Sequence, residues 1–251
     1  MKHTLLLLIS LMLTSPCFGA KGLVNDAPWN TLLDKYVTWR GHQSFVDYEG
    51  LKNNPGDRAL FYSYIHAIEN VKEDAFERAS VDRQLAFLIN TYNAFIVKLV
   101  IENYPLESIR DLNFLFFDPW DRKLFTLFGE EHSLDDIEED MINDEFDDPR
   151  TTFALSNASK DGPPLLPEAY TAKRLEVQLN KVTYNFINDP EKNYYDEQRD
   201  ILHLSKIFKW HDDNIEDHSD SVMSFVAPYF DIDDTKHTDI EYLDYDWSLN
   251  E

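Results

Sequence analysis

Cysteine is nearly absent: Cys17 is the only one in 251 residues. It lies in the N-terminal stretch, so a chain shortened there has no disulfide, no thiolate nucleophile and no cysteine metal ligand. Glycine and proline are sparse, 7 and 11 residues, and scattered, which leaves no flexible linker and no domain seam. Basic residues are in deficit, 23 against 47 acids, for a net charge of -24. That balance argues against nucleic acid and anionic membrane surfaces as partners, because both require clustered Lys or Arg. Its plainest meaning is solubility, with cation binding or a basic partner as the alternatives. Long apolar runs are missing beyond the N-terminus, so no transmembrane span is expected once that segment is removed.

What is present begins with that N-terminus. Lys2 and His3 precede an apolar run from Leu5 to Leu13, of signal-peptide length and too short to span a bilayer. Pro16 ends it, and Gly19 and Ala20 offer cleavage points. The expectation is a signal peptide over 1–20 and an exported protein, periplasmic or extracellular, with one globular domain over 21–251. An uncleaved anchor is the competing reading. Hydrophobic residues at 43% and aromatics at 14% supply a sizeable core.

Periodicity predicts helices over Ala27–Trp39, Asp57–Val71 and Val81–Asn103, the second with Leu60, Tyr64, Ala67, Ile68 and Val71 on one face, the third with Ser80 as N-cap and Pro105 as its stop. The last is apolar on nearly all sides and is expected to be central. The segment around 41–56 reads as a loop or short extended piece. "KLFTLFGEEHSL" predicts a hairpin turning at Gly129, and Ser133 can cap the acidic run "LDDIEEDMINDEF", which reads as a solvated helix. "TTFALS" reads as a short buried strand, Thr171 as the cap of a helix over 172–188, "YYDEQRDILHLSKIF" as a hairpin, and "IEYLDYDWSLN" as a closing strand. Helices first and short strands later predict an α+β fold, a helical N-terminal layer on a small antiparallel sheet.

The central helix carries two amides on one face, Asn90 and Asn93. Buried amides need partners, and leaving one unpaired costs on the order of 1–3 kcal/mol. Either they pin neighbouring backbone, for instance that of "TTFALS", or they line a cleft and hold a ligand.

"RQLAFLINTYNAFIVKLVIENYPLESIRDL" resembles the domain of unknown function 547 family. There, a helix reading Ala-Phe-Trp-Ile-Asn-Leu-Tyr-Asn-Ala precedes a Tyr-Pro and a Ser-Ile-Arg. Asn90, Tyr92, Asn93, Ala94, Tyr104, Pro105, Ser108, Ile109 and Arg110 match it. The resemblance continues through "PWDRKLFTLFGEEHSLDDIE", "DPRTTFALSNASKDGPPLLPEAYTA", "LSKIFKW" and "YDWSLN", roughly Val46 to the C-terminus. One block departs from the pattern. Family members read Asp-Pro-Arg-x-His-Phe-Ala-Leu-x-Cys-Ala-Ser-x-x-Cys-Pro-Pro; here Thr152, Asn157 and Gly162 stand at the histidine and the two cysteines. A thiolate mechanism, or a cysteine pair, is therefore not transferable.

The resulting expectation is a cysteine-independent, non-catalytic protein with a cleft for an unknown small molecule or peptide, lined by Asn90, Asn93, Arg150, Ser156 and Asn157. Arg150 would clamp a negative group or pair with an internal acid. Trp247 and Asn250 either close one wall of that cleft or, the favoured account for Trp247, fill the core. A hydrolase or acyl-transfer enzyme using Ser156 or Ser159 with a distant histidine is the alternative; an acidic interaction module is a further one. No cofactor and no metal site are expected, because "HDDNIEDH" lacks the His-Glu-x-x-His spacing. Oligomeric state is not legible.

Overall fold

In the computed structural model, the structure describes residues 23–112, 118–232 and 238–251. The expected signal segment lies outside them. Pro28 opens α1 (Ala27–Tyr36), which buries Trp29, Leu32, Leu33 and Tyr36. The helix expected to reach Trp39 stops three residues earlier. Val37 and Thr38 are β-branched and start β1 (Val37–Arg40), which pairs antiparallel with β2 (Gln43–Val46) across Gly41. The segment read as loop therefore holds a strand and also α2 (Tyr48–Asn53), capped by Asp47.

Asn54 caps α3 (Pro55–Glu69) through its side-chain oxygen. The buried face is Phe61, Tyr64, Ile65 and Ile68; Ala67, expected on that face, is exposed. Short α4 (Glu73–Glu77) leads into α5 (Val81–Asn103). Ser80 takes the extended N-cap geometry, although its hydroxyl makes no cap bond. Helix α5 buries a nearly continuous run from Leu85 to Ile101. By length and composition it reaches the range of a membrane-crossing helix, which corrects the expectation that no such stretch follows the N-terminus. Nearly all of it is enclosed by the protein, as suits the axis of a core.

The hairpin is β3 (Phe125–Leu127) and β4 (Glu130–His132), turning at Gly129 with φ +90°. The acidic run that follows is π-helical over Asp136–Asn143, and it is not a solvated helix: Ile137, Glu138 and Ile142 are buried. The expected strand "TTFALS" is instead a 3₁₀ helix over Pro149–Phe153 and the turn after it. Asp148 caps that helix on the Arg150 N–H and Pro149 presets its first φ, so local capping overrides the β-branched threonines.

Helix α6 (Leu175–Ile187) packs on this 3₁₀ turn. Strands β5 (Tyr194–Asp196) and β6 (Ile201–Leu204) form the second expected hairpin. Short α7 (Ile207–Trp210) and α8 (Asp212–Glu216) and the Ser221-capped α9 (Val222–Phe230) follow. Strand β7 (Asp239–Tyr242) then pairs with β6 in parallel. The α+β fold holds, with about half the chain helical; among the described residues the strands form three small sheets, one of them mixed in direction. The tail returns through bridges Ser108–Ser248 and Ser159–Leu249, and the Val46 N–H donates to the Asn250 carbonyl. That return brings Trp247 beside the turn at 118–121 and the end of α7.

Candidate functional site

The residues after the 3₁₀ turn are held from below by α5. Asn93 donates from Nδ2 to the Ala154 carbonyl (2.8 Å) and accepts from the Ser156 N–H (2.9 Å). One turn earlier, Asn90 donates to the Tyr170 carbonyl and accepts from the Tyr170 N–H, both at 2.8 Å. Each amide thus acts as a strand neighbour would, satisfying one carbonyl and one N–H of a buried segment.

Beyond Ser156 the loop closes on itself. Asn157 Oδ1 accepts from the Ser159 N–H (3.1 Å) and hydroxyl (2.6 Å), while Nδ2 donates to the Tyr245 hydroxyl (2.7 Å). Gly162 makes room for this: a Cβ there would sit 2.0 Å from Asn157 Oδ1. Lys192, itself buried, donates to the Gly162 carbonyl at 2.9 Å. Thr152 Oγ1 accepts from Asn214 on α8 at 2.9 Å. At the three positions where relatives carry His and Cys, the polar atoms present are bound to other parts of this chain.

Thr152 and Asn157 nevertheless form part of the wall of a cleft of about 350 Å³. Its rim carries Trp120, Trp210 and Trp247 with the exposed acids Asp121 and Glu139, and its wall is completed by Asp118, Asp135, Glu138, Tyr92 and His211. The tryptophans touch each other: Trp247 lies 5.9 Å from Trp120 and 5.3 Å from Trp210 between ring centroids, with Tyr245 at 4.6 Å. Trp247 is half-buried on this rim, not in the core where it was expected. Asn250 is not on the wall; it is buried and accepts from the Tyr48 hydroxyl at 2.8 Å. The Arg110 guanidinium stacks 4.5 Å over the Trp247 ring.

The acidic wall is assembled by local bonds. Ser133 Oγ accepts from the Asp136 N–H (3.0 Å) and Asp136 Oδ2 accepts from the Ser133 N–H (2.8 Å), a reciprocal cap that starts the π-helical run. The N–H groups of Leu134 and Asp135 donate to the Trp120 carbonyl, bringing the 118–121 turn against the same helix start. His211 stands between α7 and α8 and places its Nδ1 3.4 Å from Glu138 Oε1.

These surroundings raise two of the acids. Burial, and then the charge of Glu139, push the Glu138 carboxyl up to about 7 against a weaker pull from the Tyr92 hydroxyl. Burial, then Asp121 and Glu138, push Asp135 up to about 7. Burial lowers His211, so its imidazole is neutral near pH 7. Larger depressions of about 600 and 700 Å³ lie beside Leu175 and Phe146, but no histidine lines either.

Of the five residues named from the sequence, Asn157 lines this cleft. Asn90 lines a separate depression of about 200 Å³ beside Leu23 and Val24. Asn93 and Ser156 lie beneath the cleft wall, with Ser156 Oγ near the Ala158 N–H at 3.4 Å. Arg150 is elsewhere: it grips Asp148 with Nε and Nη2, and reaches Glu176 and Asn180 of α6 with Nη1. Among the described residues no histidine hydrogen-bonds Ser156 or Ser159; His237 lies outside them.

Tyr92 entered from the sequence only as a family match, Asp135, Glu138 and Glu139 only within an acidic run, and His211 only in the stretch set aside as a metal motif; none of these, nor Trp120, was expected at the cleft. The signal was present: four of them fall inside the blocks that resemble the family, and Glu139 and His211 each directly follow one. The acids were hidden by composition, since an acidic run in a chain of net charge -24 reads first as surface.

Residues 76–187 match the model of the family described as "Protein of unknown function, DUF547". The chain carries a DUF547 domain. A search of curated proteins and a search of solved structures each returned no match. The DUF547 segment supplies Tyr92, Trp120, the carboxylates, Thr152 and Asn157, while His211, Trp210 and Trp247 reach the cleft from the chain beyond it.

Proposed function

We propose that this protein is exported and binds a small molecule or peptide in the tryptophan-rimmed cleft, without thiol chemistry. One observation supports this above the rest. The wall positions where the resembled family pattern has His and Cys hold Thr152 and Asn157, whose polar atoms are engaged by Asn214, Ser159 and Tyr245. The remainder of the cleft keeps the features of a binding site, aromatic faces at the mouth and polar groups converging within.

The lining also narrows the ligand. Five carboxylates face the cleft against one arginine, and that arginine is stacked on Trp247. A ligand rich in hydrogen-bond donors, with an amine or another cationic group against the indoles, suits this surface.

The test is a thermal-shift and NMR screen of the mature chain against amines, peptides with free N-termini, and neutral and anionic controls. Donor-rich cationic compounds are expected to bind wild type and to bind Trp247→Ala and Asp121→Asn at least tenfold more weakly. Hits that bind both variants as well as wild type, or a preference for anions, would overturn the reading. Export is tested by N-terminal sequencing of the chain recovered from the cell envelope or medium. A chain that keeps residues 1–20 and stays in the cytosol would refute it.

A further inference from the structure

Glu138, Glu139 and His211 each offer one ligand atom, and these atoms lie within 4.8 Å of one another. Three points so spaced have a common centre under about 2.8 Å from each, and small rotamer changes bring them to the ~2.0–2.2 Å of a zinc–nitrogen or zinc–carboxylate bond. The set is mixed, two carboxylates from the π-helical run and one imidazole from the α7–α8 junction, remote in sequence and joined only by the fold.

A second observation is independent of that convergence. Glu138 is 8% exposed and lines the cleft, yet among the described residues no lysine or arginine pairs with it; Glu139 beside it is exposed and accepts from Asn143 Nδ2 at 3.1 Å. Buried carboxylates are as a rule paired with a cation or bound to a metal. Elsewhere in this chain that rule is followed: Lys192, itself buried, lies 3.8 Å from the buried Asp189. The one base in the cleft, Arg110, is turned onto Trp247.

We infer that Glu138, Glu139 and His211 form a binding site for one divalent first-row transition-metal ion in the wall of the cleft. Nitrogen with two carboxylates suits Zn²⁺, Mn²⁺ or Fe²⁺ better than Ca²⁺, which takes six to eight oxygens. Three protein ligands leave coordination positions open toward the cleft, where a water or a donor atom of the ligand completes the shell.

The inference shares the cleft with the proposed function but does not need its organic ligand, so metal alone is the probe. Chelator-treated wild-type chain is titrated calorimetrically with ZnCl₂, MnCl₂ and CaCl₂. One Zn²⁺ or Mn²⁺ per chain is expected, with Ca²⁺ at least tenfold weaker. His211→Ala and Glu138→Gln should each weaken Zn²⁺ at least tenfold, while Glu145→Gln, at an exposed acid, leaves it unchanged.

Histidine ¹⁵N NMR of wild type with Zn²⁺ gives a readout independent of whether the variants fold, and His211 should shift before the other histidines. Absence of stoichiometric binding, equal losses in Glu145→Gln, or a first shift at another histidine would overturn the inference. A negative titration alongside a positive organic-ligand screen would remove the metal and leave the binding cleft.

Discussion

Two neighbouring parts of the DUF547 segment handle polarity in opposite ways. Between Ala154 and Gly162 the buried polar side chains are matched: Asn93 holds two backbone groups, Asn157 three polar neighbours, and Lys192 the Gly162 carbonyl. Across the cleft, Asp135, Glu138 and Glu139 crowd together, and among the described residues no lysine or arginine pairs with them; a neutral imidazole and a tyrosine hydroxyl stand beside Glu138, and an asparagine amide donates to Glu139. The first region lowers the free energy of the fold. The second raises it, and a protein keeps such an arrangement where something other than stability is served.

The largest expected effect breaks the matched side. Asn93→Ala leaves the Ala154 carbonyl and the Ser156 N–H without their partner in a buried place. At ~1–3 kcal/mol for each orphaned group, the loss should be about 4 kcal/mol by urea denaturation. Asn90→Ala strips both polar groups of Tyr170 and should cost a similar amount. A loss under about 1 kcal/mol for either would mean that water replaces the amide and that the loop is not pinned.

The next effect comes from the crowded side. Glu138 ionises in the fold at about 7 against 4.5 for a free side chain, so the folded state holds a proton that the unfolded state has released. The stability from this group is complete below about pH 4.5 and is lost as pH rises through about 7. The shift corresponds to about 3 kcal/mol. Glu138→Gln should therefore be more stable than wild type at pH 8 and flatten that part of the pH profile. Asp135 pushes in the same direction, so a residual slope should persist. A wild-type profile that rises from pH 5 to pH 8 would contradict this account.

The same contrast explains what could be read from the chain. Helix α5 was legible to both ends, because an all-round apolar surface and Pro105 leave little choice. The hairpin at Gly129 was legible from its turn residue. Asn90 and Asn93 were legible as buried amides, and one of the two readings, backbone pinning, describes their bonds. "TTFALS" was misread because a strand and a capped 3₁₀ turn bury the same apolar letters, and only Asp148–Pro149 tells them apart. The cleft was illegible for a different reason. Glu138 and His211 are 73 positions apart, and a buried acid is spelled like an exposed one. Only the π-helical run, with buried Ile137 and Ile142 flanking the two glutamates, turns Glu138 inward.

A smaller effect tests whether Asn157 and Gly162 act as a unit. Gly162→Ala puts a methyl 2.0 Å from Asn157 Oδ1, and overpacking of this kind costs ~1–3 kcal/mol. In an Asn157→Ala background most of that clash is gone, with only Ser159 Oγ still close at 2.9 Å. The double variant should therefore be more stable than the sum of the single losses by about 1 kcal/mol. Strict additivity in a denaturation cycle would separate the two positions and remove the argument that the amide occupies space the glycine leaves.

The smallest stability effect belongs to the rim. Trp210 is 45% exposed and gives its ring to Trp247 and Tyr245, so Trp210→Ala forfeits two aromatic contacts and little buried area. The loss should be about 1 kcal/mol. An indole that contributes this little to the fold while standing at the mouth of an acidic cleft is the sharpest divider between the two regions. If the rim serves binding, Trp210→Ala weakens a cationic ligand by more than its stability loss alone would suggest, since cation–π contacts at partly exposed sites carry ~0.5–1 kcal/mol apiece. If the variant melts several kcal/mol early and binds normally once folded, the tryptophans belong with the matched loop as packing.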